Sequence, residues 1–340
     1  MNQKILVTGG AGYVGSVLIP NLIKEGYFVK CLDRFFFGIE FLSRKEFQDD
    51  VELIKDDIRW FDPKILDDVD VVLDLAALSN DPVGELDPQK TFEINHMGRH
   101  RVAKLSKEHG VKRYVLASSA SIYGQQEQIA NEASQVNPLT SYSKANRKSE
   151  IDSLALNDEN FLVTALRFSS IYGVSPRMRF DTAVNCMVLD AYKKKKITVN
   201  GKENKRPFIF TKDVVQAYLT VIKELNGKIA GQIFNIGSNQ QNLTMEALAY
   251  KIVDSIGEKC DIIFQGTNDH RSYFASFDKI KNVLGFATCY NIKDGVIEIY
   301  QALENGKISD NIKTKTVEWY KYLLKNSDAA KNLMINNTLL

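Results

Sequence analysis

The clearest chemical possibilities lie in a turn near the start, Gly9-Gly10-Ala11-Gly12-Tyr13-Val14-Gly15, and in an acid further on, Asp33. The strand-forming run Lys4-Ile5-Leu6-Val7-Thr8 leads into the glycines, and apolar residues at helical spacing follow at Val17, Leu18, Leu22 and Ile23. Strand, glycine turn and helix in that order can bind phosphate. The early glycines permit backbone angles that a side chain forbids, Gly12 admits a pyrophosphate to the main chain, and Gly15 lets the helix pack closely on the strand. Free N–H groups of the first helical turn then face the phosphates. Asp33 closes a second apolar run, Phe28-Val29-Lys30-Cys31-Leu32, where a carboxylate can accept from the adenosine ribose hydroxyls. Its charge would repel a 2′-phosphate, which favours NAD over NADP. Gly9, Gly12, Tyr13, Val14, Gly15, Asp33 and its neighbour Arg34 are the expected cofactor contacts. The plainer alternative is a tight strand-to-helix turn followed by a surface aspartate.

Holding these groups in place requires a sheet. Val51-Glu52-Leu53-Ile54-Lys55 is the predicted third strand, closed by Asp56-Asp57-Ile58. Val69 to Leu75 is mostly apolar, as a strand buried on both faces should be. It ends in Ala76-Ala77, at the carboxyl edge where ligands sit in an open α/β sheet. A helical pattern with Phe92, Ile94, Val102, Ala103 and Leu105 lies between Asp87 and His109, and further strands run over Tyr114 to Ala117 and Leu162 to Leu166. This alternation predicts right-handed crossovers and an α/β fold, a Rossmann-type doubly wound parallel sheet. Beyond Tyr172 the alternation weakens, with Pro176, Pro207 and several glycines, which points to a smaller mixed α/β substrate lobe. The expected division is 1–172 for the NAD-binding domain, with parts of the later chain contributing, 173–325 for the lobe, and an Asn-rich tail over 326–340, poorly ordered at its end. Phe35-Phe36-Phe37 reads as packing over the sheet edge, or as a wall of the adenine or substrate site. Lys193 to Lys196 reads as the solvated end of a helix starting near Asp181.

At 340 residues, 44% hydrophobic and 25% charged, the chain has the make-up of an ordinary globular protein. A formal net charge of +2 gives no reason to expect nucleic acid or an anionic membrane as partner. Cys31, Cys186, Cys260 and Cys289 are scattered without metal-site spacing, which suits free thiols in a reducing, cytoplasmic setting and predicts no metal. Strand-forming residues begin too early for a signal peptide, and no apolar run approaches a membrane span.

Later motifs extend the picture. Asp57-Ile58, Leu75-Ala76-Ala77, Ser118-Ser119 before Ile122-Tyr123-Gly124, and Tyr142 opening a helix follow the glycine turn in order. Arg167 before Ile171-Tyr172-Gly173, Arg206-Pro207-Phe208-Ile209 before Asp213-Val214, and His270-Arg271-Ser272-Tyr273 before Asp278-Lys279-Ile280 complete the series. Together they resemble the extended short-chain dehydrogenase/reductase family, the NAD-dependent nucleotide-sugar epimerases and dehydratases, over nearly the whole chain to about Tyr300.

The resemblance implies that Tyr142, as phenolate, removes a hydroxyl proton while hydride passes from the same carbon to the nicotinamide. A free tyrosine has a pKa of about 10, so something must lower it. The family uses a lysine four residues later, which also holds the nicotinamide ribose; here that position is Asn146, which can bond a ribose hydroxyl but brings no charge. Phenolate at Tyr142 is then expected to depend more on the oxidised nicotinamide's own charge. Ser119 resembles the serine or threonine that shares the reacting proton network. Dehydratases carry a glutamate at the position of Ser121, and its absence argues against elimination of water. Asp57 and Ile58 resemble the adenine-reading pair, and Asn95 resembles a residue that fixes the site geometry. Leu75, Ala76, Ala77 and Ser118 count with the cofactor contacts. Arg206 and Arg271 match arginines that clamp a diphosphate, while Arg177 and Arg179 are supported only by a nearby loop position. Ser79, Asn80, Ser119 and Ser121 are the remaining expected substrate contacts, and Ser170 stands where many epimerases carry asparagine.

The resulting expectation is an NAD-dependent nucleotide-sugar epimerase working through oxidation at sugar C4. A 4-dehydrogenase or ketoreductase comes next, then a 4,6-dehydratase. Of a different class is a non-catalytic NAD-binding protein, suggested by Asn146. Resemblance also implies a homodimer, through the helices around Asp87 to His109 and Ser141 to Leu156.

Overall fold

The computed structural model describes residues 3–224 and 226–340. Its main sheet contains β1 (Lys4–Thr8), β2 (Phe28–Asp33), β3 (Val51–Lys55), β4 (Val71–Asp74), β5 (Arg113–Ser119) and β6 (Leu162–Phe168). From the small sheets come β7 (Ser170–Tyr172), β8 (Lys196–Asn200) and β9 (Lys205–Phe210), after which β10 (Gln232–Ile236) returns to the main sheet beside β6. The main order is β3-β2-β1-β4-β5-β6-β10, parallel throughout. Strand order reverses at β1, and that reversal opens a crevice at the carboxyl ends.

Alternation along each strand explains the layers. Ile5 and Val7 point to one face with Val29, Leu73 and Val115, and are covered by α1 (Gly15–Lys24) through Leu18, Ile19 and Leu22. Leu6, Leu32, Val72, Tyr114 and Leu116 point to the other. After the short α2 (Asp81–Gly84) and α3 (Pro88–Phe92), that second face is covered by α4 (Arg99–Glu108) and α5 (Ser141–Leu154). The first face also receives α7 (Thr211–Lys223), while α6 (Ala183–Lys194) packs in the lobe. There, β9 runs parallel to β7 and antiparallel to β11 (Asn242–Thr244), and β8 pairs with β12 (Asp261–Gln265). The lobe helices are α8 (Met245–Ile256) and α10 (Ile292–Glu304); α9 (Asp278–Leu284) lies against β10, and α11 (Thr316–Lys325) and α12 (Ser327–Lys331) follow. No helix among the described residues is long and apolar enough to cross a membrane.

Three local expectations change. The helical stretch 87–109 is interrupted between α3 and α4 by a π-helical turn, Glu93–Gly98. The lysine run is not all helix end, because Lys195 is a left-handed cap (φ 48°) and Lys196 already belongs to β8. The tail ends ordered: Leu339 and Leu340 are buried against Leu78, Trp319 and Tyr320, apolar anchors hidden in an Asn-rich composition.

Candidate active site

A groove enclosing about 490 Å³ runs across the carboxyl ends of the main sheet and on beneath the lobe. That is within the roughly 300–1,000 Å³ range of small-molecule sites. At one end is the glycine turn. Gly9 has φ 66°, and a Cβ there would lie 2.8 Å from the backbone of Ala76. A Cβ on Gly15 would come within 2.4 Å of the Gly10 carbonyl oxygen, so the turn and the start of the helix meet backbone to backbone. Gly12 is different, since its Cβ would meet only the Gly9 carbonyl, at 3.0 Å, leaving a cradle open to the groove. Helix α1 begins without a side-chain cap on Val14, which suits an anion at its N-terminus. Tyr13 points away, donating to Gly173 O at 2.7 Å and accepting from Asn185 at 2.9 Å, and so ties the turn to the lobe.

Asp33 accepts one backbone N–H on each oxygen, from Phe35 at 2.7 Å and Ala11 at 3.0 Å. Each oxygen keeps capacity for one more donor, which fits a pair of ribose hydroxyls. Burial raises its pKa, against the backbone N–H groups of Phe35, Ala11 and Arg34 and the charge of Arg177. Gly12, Asp33 and the floor of Leu75, Ala76 and Ala77 together fit a dinucleotide. Asp33→Ser is expected to weaken NAD by about 10–100-fold, the loss of charge-assisted hydrogen bonds, and to narrow the preference over NADP. Calorimetric titration measures both, and unchanged affinity would remove Asp33 from the ribose.

Several expected cofactor contacts are engaged elsewhere. The Asp57 carboxylate takes Arg59 N and Nε on one oxygen and Arg34 and Arg59 guanidinium nitrogens on the other. With its acceptor sites filled, it has none left for an adenine amine. Arg34 turns its Nη2 to the carbonyls of Leu333 and Thr338, fastening the tail, while its buried Nε has no partner among the described residues. Asn95 clamps the N–H and C=O of Leu78 and acts on the groove only through that loop. Ser118 donates to Glu150 at 2.5 Å, so its hydroxyl can serve a cofactor only as an acceptor. Ile58 is buried on the groove wall, and Phe36 and Phe37 line it while packing edge-on against Tyr320.

The reaction end is built on α5. Thr140 caps it, in a reciprocal box with Ser143, and Tyr142 follows in the first turn. Gly84 makes room, because a Cβ there would lie 2.9 Å from that of Tyr142. The Tyr142 phenol and Ser119 both line the groove, where Ser119 favours the phenol's ionisation, and the Ser119 hydroxyl donates to Ser121 at 2.9 Å. Burial pushes the phenol's pKa up and Asp81 adds to this, while Ser119, Arg99 and Arg179 oppose. Asn146 lines the groove, but its carboxamide is already held: Nδ2 donates to Tyr142 O and Oδ1 accepts from Arg99, both at 2.9 Å.

The four arginines separate. Arg206 and Arg271 line the far end and share Asp269; Arg271 also pairs with Asp81. A diphosphate there must compete with two carboxylates. Arg177 belongs instead to the dinucleotide end. Its N–H lies 3.5 Å from Ser16 Oγ and its guanidinium 3.6 Å from the Phe37 ring centroid, and burial pushes its pKa down to about 9. Arg179 stands between Asp181, at 2.8 Å, and Ser79, at 3.4 Å; its buried Nη2 has no partner among the described residues. Asn80 caps α2 with its side-chain oxygen alone and lines the groove.

Sequence reasoning passed over Arg99 and Asp269. For Arg99 a signal existed: it shares the spacing of Val102, Ala103 and Ser106, so a cation sits on the helix's buried stripe.

A family model described as the NAD dependent epimerase/dehydratase family matches residues 5–237. UDP-glucuronic acid decarboxylase 1 of Xenopus tropicalis is 26% identical over 309 residues, covering 86% of this chain and 70% of that one. An uncharacterized UDP-glucose epimerase of Bacillus subtilis strain 168 is 25% identical over 309 residues, 86% of this chain and 96% of the other. Among solved structures, UDP-glucuronic acid 4-epimerase from Bacillus cereus, in complex with UDP-glucuronic acid and NAD, has a TM-score of 0.80 at 23% identity. The match covers 89% of this chain and 99% of that one.

Proposed function

The chain belongs to the NAD-dependent epimerase/dehydratase family, and from that premise we propose that it epimerises a nucleoside diphosphate sugar at C4. NAD, when bound, supplies the acceptor for the C4 hydride and returns it to the opposite face. Tyr142 takes the proton of the C4 hydroxyl, with Ser119 sharing it, and gives it back on reversal. Asp33 and the glycine turn hold the dinucleotide; Arg206 and Arg271 receive the diphosphate.

The observation that carries this reading is the Tyr142–Ser119 pair, continued by Ser121 where elimination would need a carboxylate. Asp81, the acid nearest by charge, is engaged with Arg271 and with Thr140 at 2.5 Å. The test is nuclear magnetic resonance of NAD-loaded protein with UDP-glucuronic acid and UDP-glucose. A C4 epimer is expected; a 4-keto-6-deoxy sugar, a pentose, or stoichiometric reduced nicotinamide alone would overturn it.

For the sugar itself, the unpartnered Nη2 of Arg179 favours a carboxylate at C6. Relatives named for UDP-glucuronic acid lend this support. Arg179→Met is expected to raise KM for UDP-glucuronic acid by about 10–100-fold, the equivalent of one charge-assisted bond, and to leave a neutral hexose nearly unaffected. Equal losses on both sugars would exclude the carboxylate.

A further inference from the structure

Tyr142 must ionise in a buried place, and the side chain one turn further along, Asn146, is neutral. The charged and titratable groups around the phenol come from four elements: Asp81 from α2, Arg99 from the start of α4, Arg179 from the loop before α6, and Tyr273 from the segment before α9. Arg179 is already paired with Asp181. Arg99 has a different environment. It is 1% exposed, and its Nη2 donates to Asp74 O at 2.9 Å and Ala117 O at 2.6 Å, carbonyls at the ends of β4 and β5. Its Nη1 reaches Asn146 Oδ1, and only Nε approaches a formal anion, Asp74 Oδ2, at 3.4 Å. That carboxylate is meanwhile occupied by the hydroxyls of Thr8, at 2.5 Å, and Tyr114.

The guanidinium is therefore paired with Asp74 through Nε alone and held otherwise by neutral oxygens, under the floor of the groove, with Nη1 turned to Asn146. Asn146 is oriented by it. The carboxamide oxygen faces Arg99 and the amide nitrogen faces the Tyr142 turn, so the positive end of the side-chain dipole is turned toward the reacting helix turn.

We propose that Arg99 is the cation of the reaction centre, a positioning residue that acts from behind Asn146 to favour the Tyr142 phenolate. The proposal rests on Tyr142 being the base, and its test does not need turnover. In NAD-loaded protein with carbon-13 at tyrosine Cζ, the Tyr142 signal is assigned by its loss in Tyr142→Phe and titrated. Arg99→Gln, which keeps donors but not charge, is expected to raise the ionisation midpoint by about one unit or more, the scale set by a nearby opposite charge. Arg99→Lys should stay close to the parent. If Arg99→Gln does not fold, Arg99→Met combined with Asn146→Lys moves the cation to the neighbouring helix and should restore the parent midpoint. An unchanged midpoint in folded Arg99→Gln, or no restoration in the double variant, overturns the role. A midpoint that moves as expected, in protein that turns over no nucleotide sugar, would uphold Arg99 and sink the epimerase reading instead.

Discussion

Tyr142→Phe lowers kcat by about 10²–10⁴-fold, the usual contribution of a positioned acid or base, and leaves NAD affinity nearly unchanged. The substitution removes one oxygen and keeps the ring, so packing against α2 at Gly84 persists. The pH dependence has a definite sign. Burial and Asp81 raise the phenol's pKa, so at neutral pH without a cofactor it holds its proton. Only the ionised form accepts a proton, and activity should therefore climb toward alkaline pH until the midpoint in the loaded enzyme is passed. The climb should be absent in Tyr142→Phe. A variant retaining full activity with the same profile would exclude the phenol from the chemistry.

Glu150→Ala costs about 3–5 kcal/mol of folding stability, the range for one partner lost from a buried pair. Glu150 is fully buried on α5 and accepts two bonds from Arg167, Nε and Nη2, both at 2.9 Å. Ser118 and Arg147 add a bond each. Arg167 continues to the Tyr123 hydroxyl at 2.9 Å, and Tyr123 donates to Asn235 of β10 at 2.8 Å. Removing the carboxylate strands a guanidinium that is itself buried. Changing both partners to apolar residues should recover much of the loss, because the penalty belongs to the orphaned charge. Urea unfolding measures both, and a loss below about 1 kcal/mol for the single variant would contradict the assignment. The pair also fixes how α5 is turned. Ser118 precedes Ser119, and Glu150 lies two turns beyond Tyr142, so one ion pair aligns the two hydroxyls of the proposed chemistry.

The glycine turn and Asp33 were legible because their information is local: a strand, a turn and a helix follow in unbroken sequence. The buried strands were legible for the same reason, since Val71, Val72 and Leu73 are apolar in succession. Partnerships across the chain were not. Nothing around Asp57 announces that Arg34 and Arg59 fill its acceptor sites, or that Arg34 reaches the carbonyls of Leu333 and Thr338 far along the chain. Arg177 and Arg179 are two residues apart, yet one packs on Phe37 at the dinucleotide end and the other stands beside Ser79. Residue type sets what a side chain can do, and only the fold sets what it meets.

The return of β10 to the edge of β6 has a consequence for how this protein can vary. Ile236 pairs with Phe168 and Gln232 with Thr164, so everything from β7 to β9 is an excursion, and α7, which covers the sheet, leads the chain back to the strand beside the one it left. Such a detour can be lengthened or reshaped without shifting the register of the strands beneath it. A new carbohydrate could thus be accommodated in the detour while the redox platform keeps its alignment.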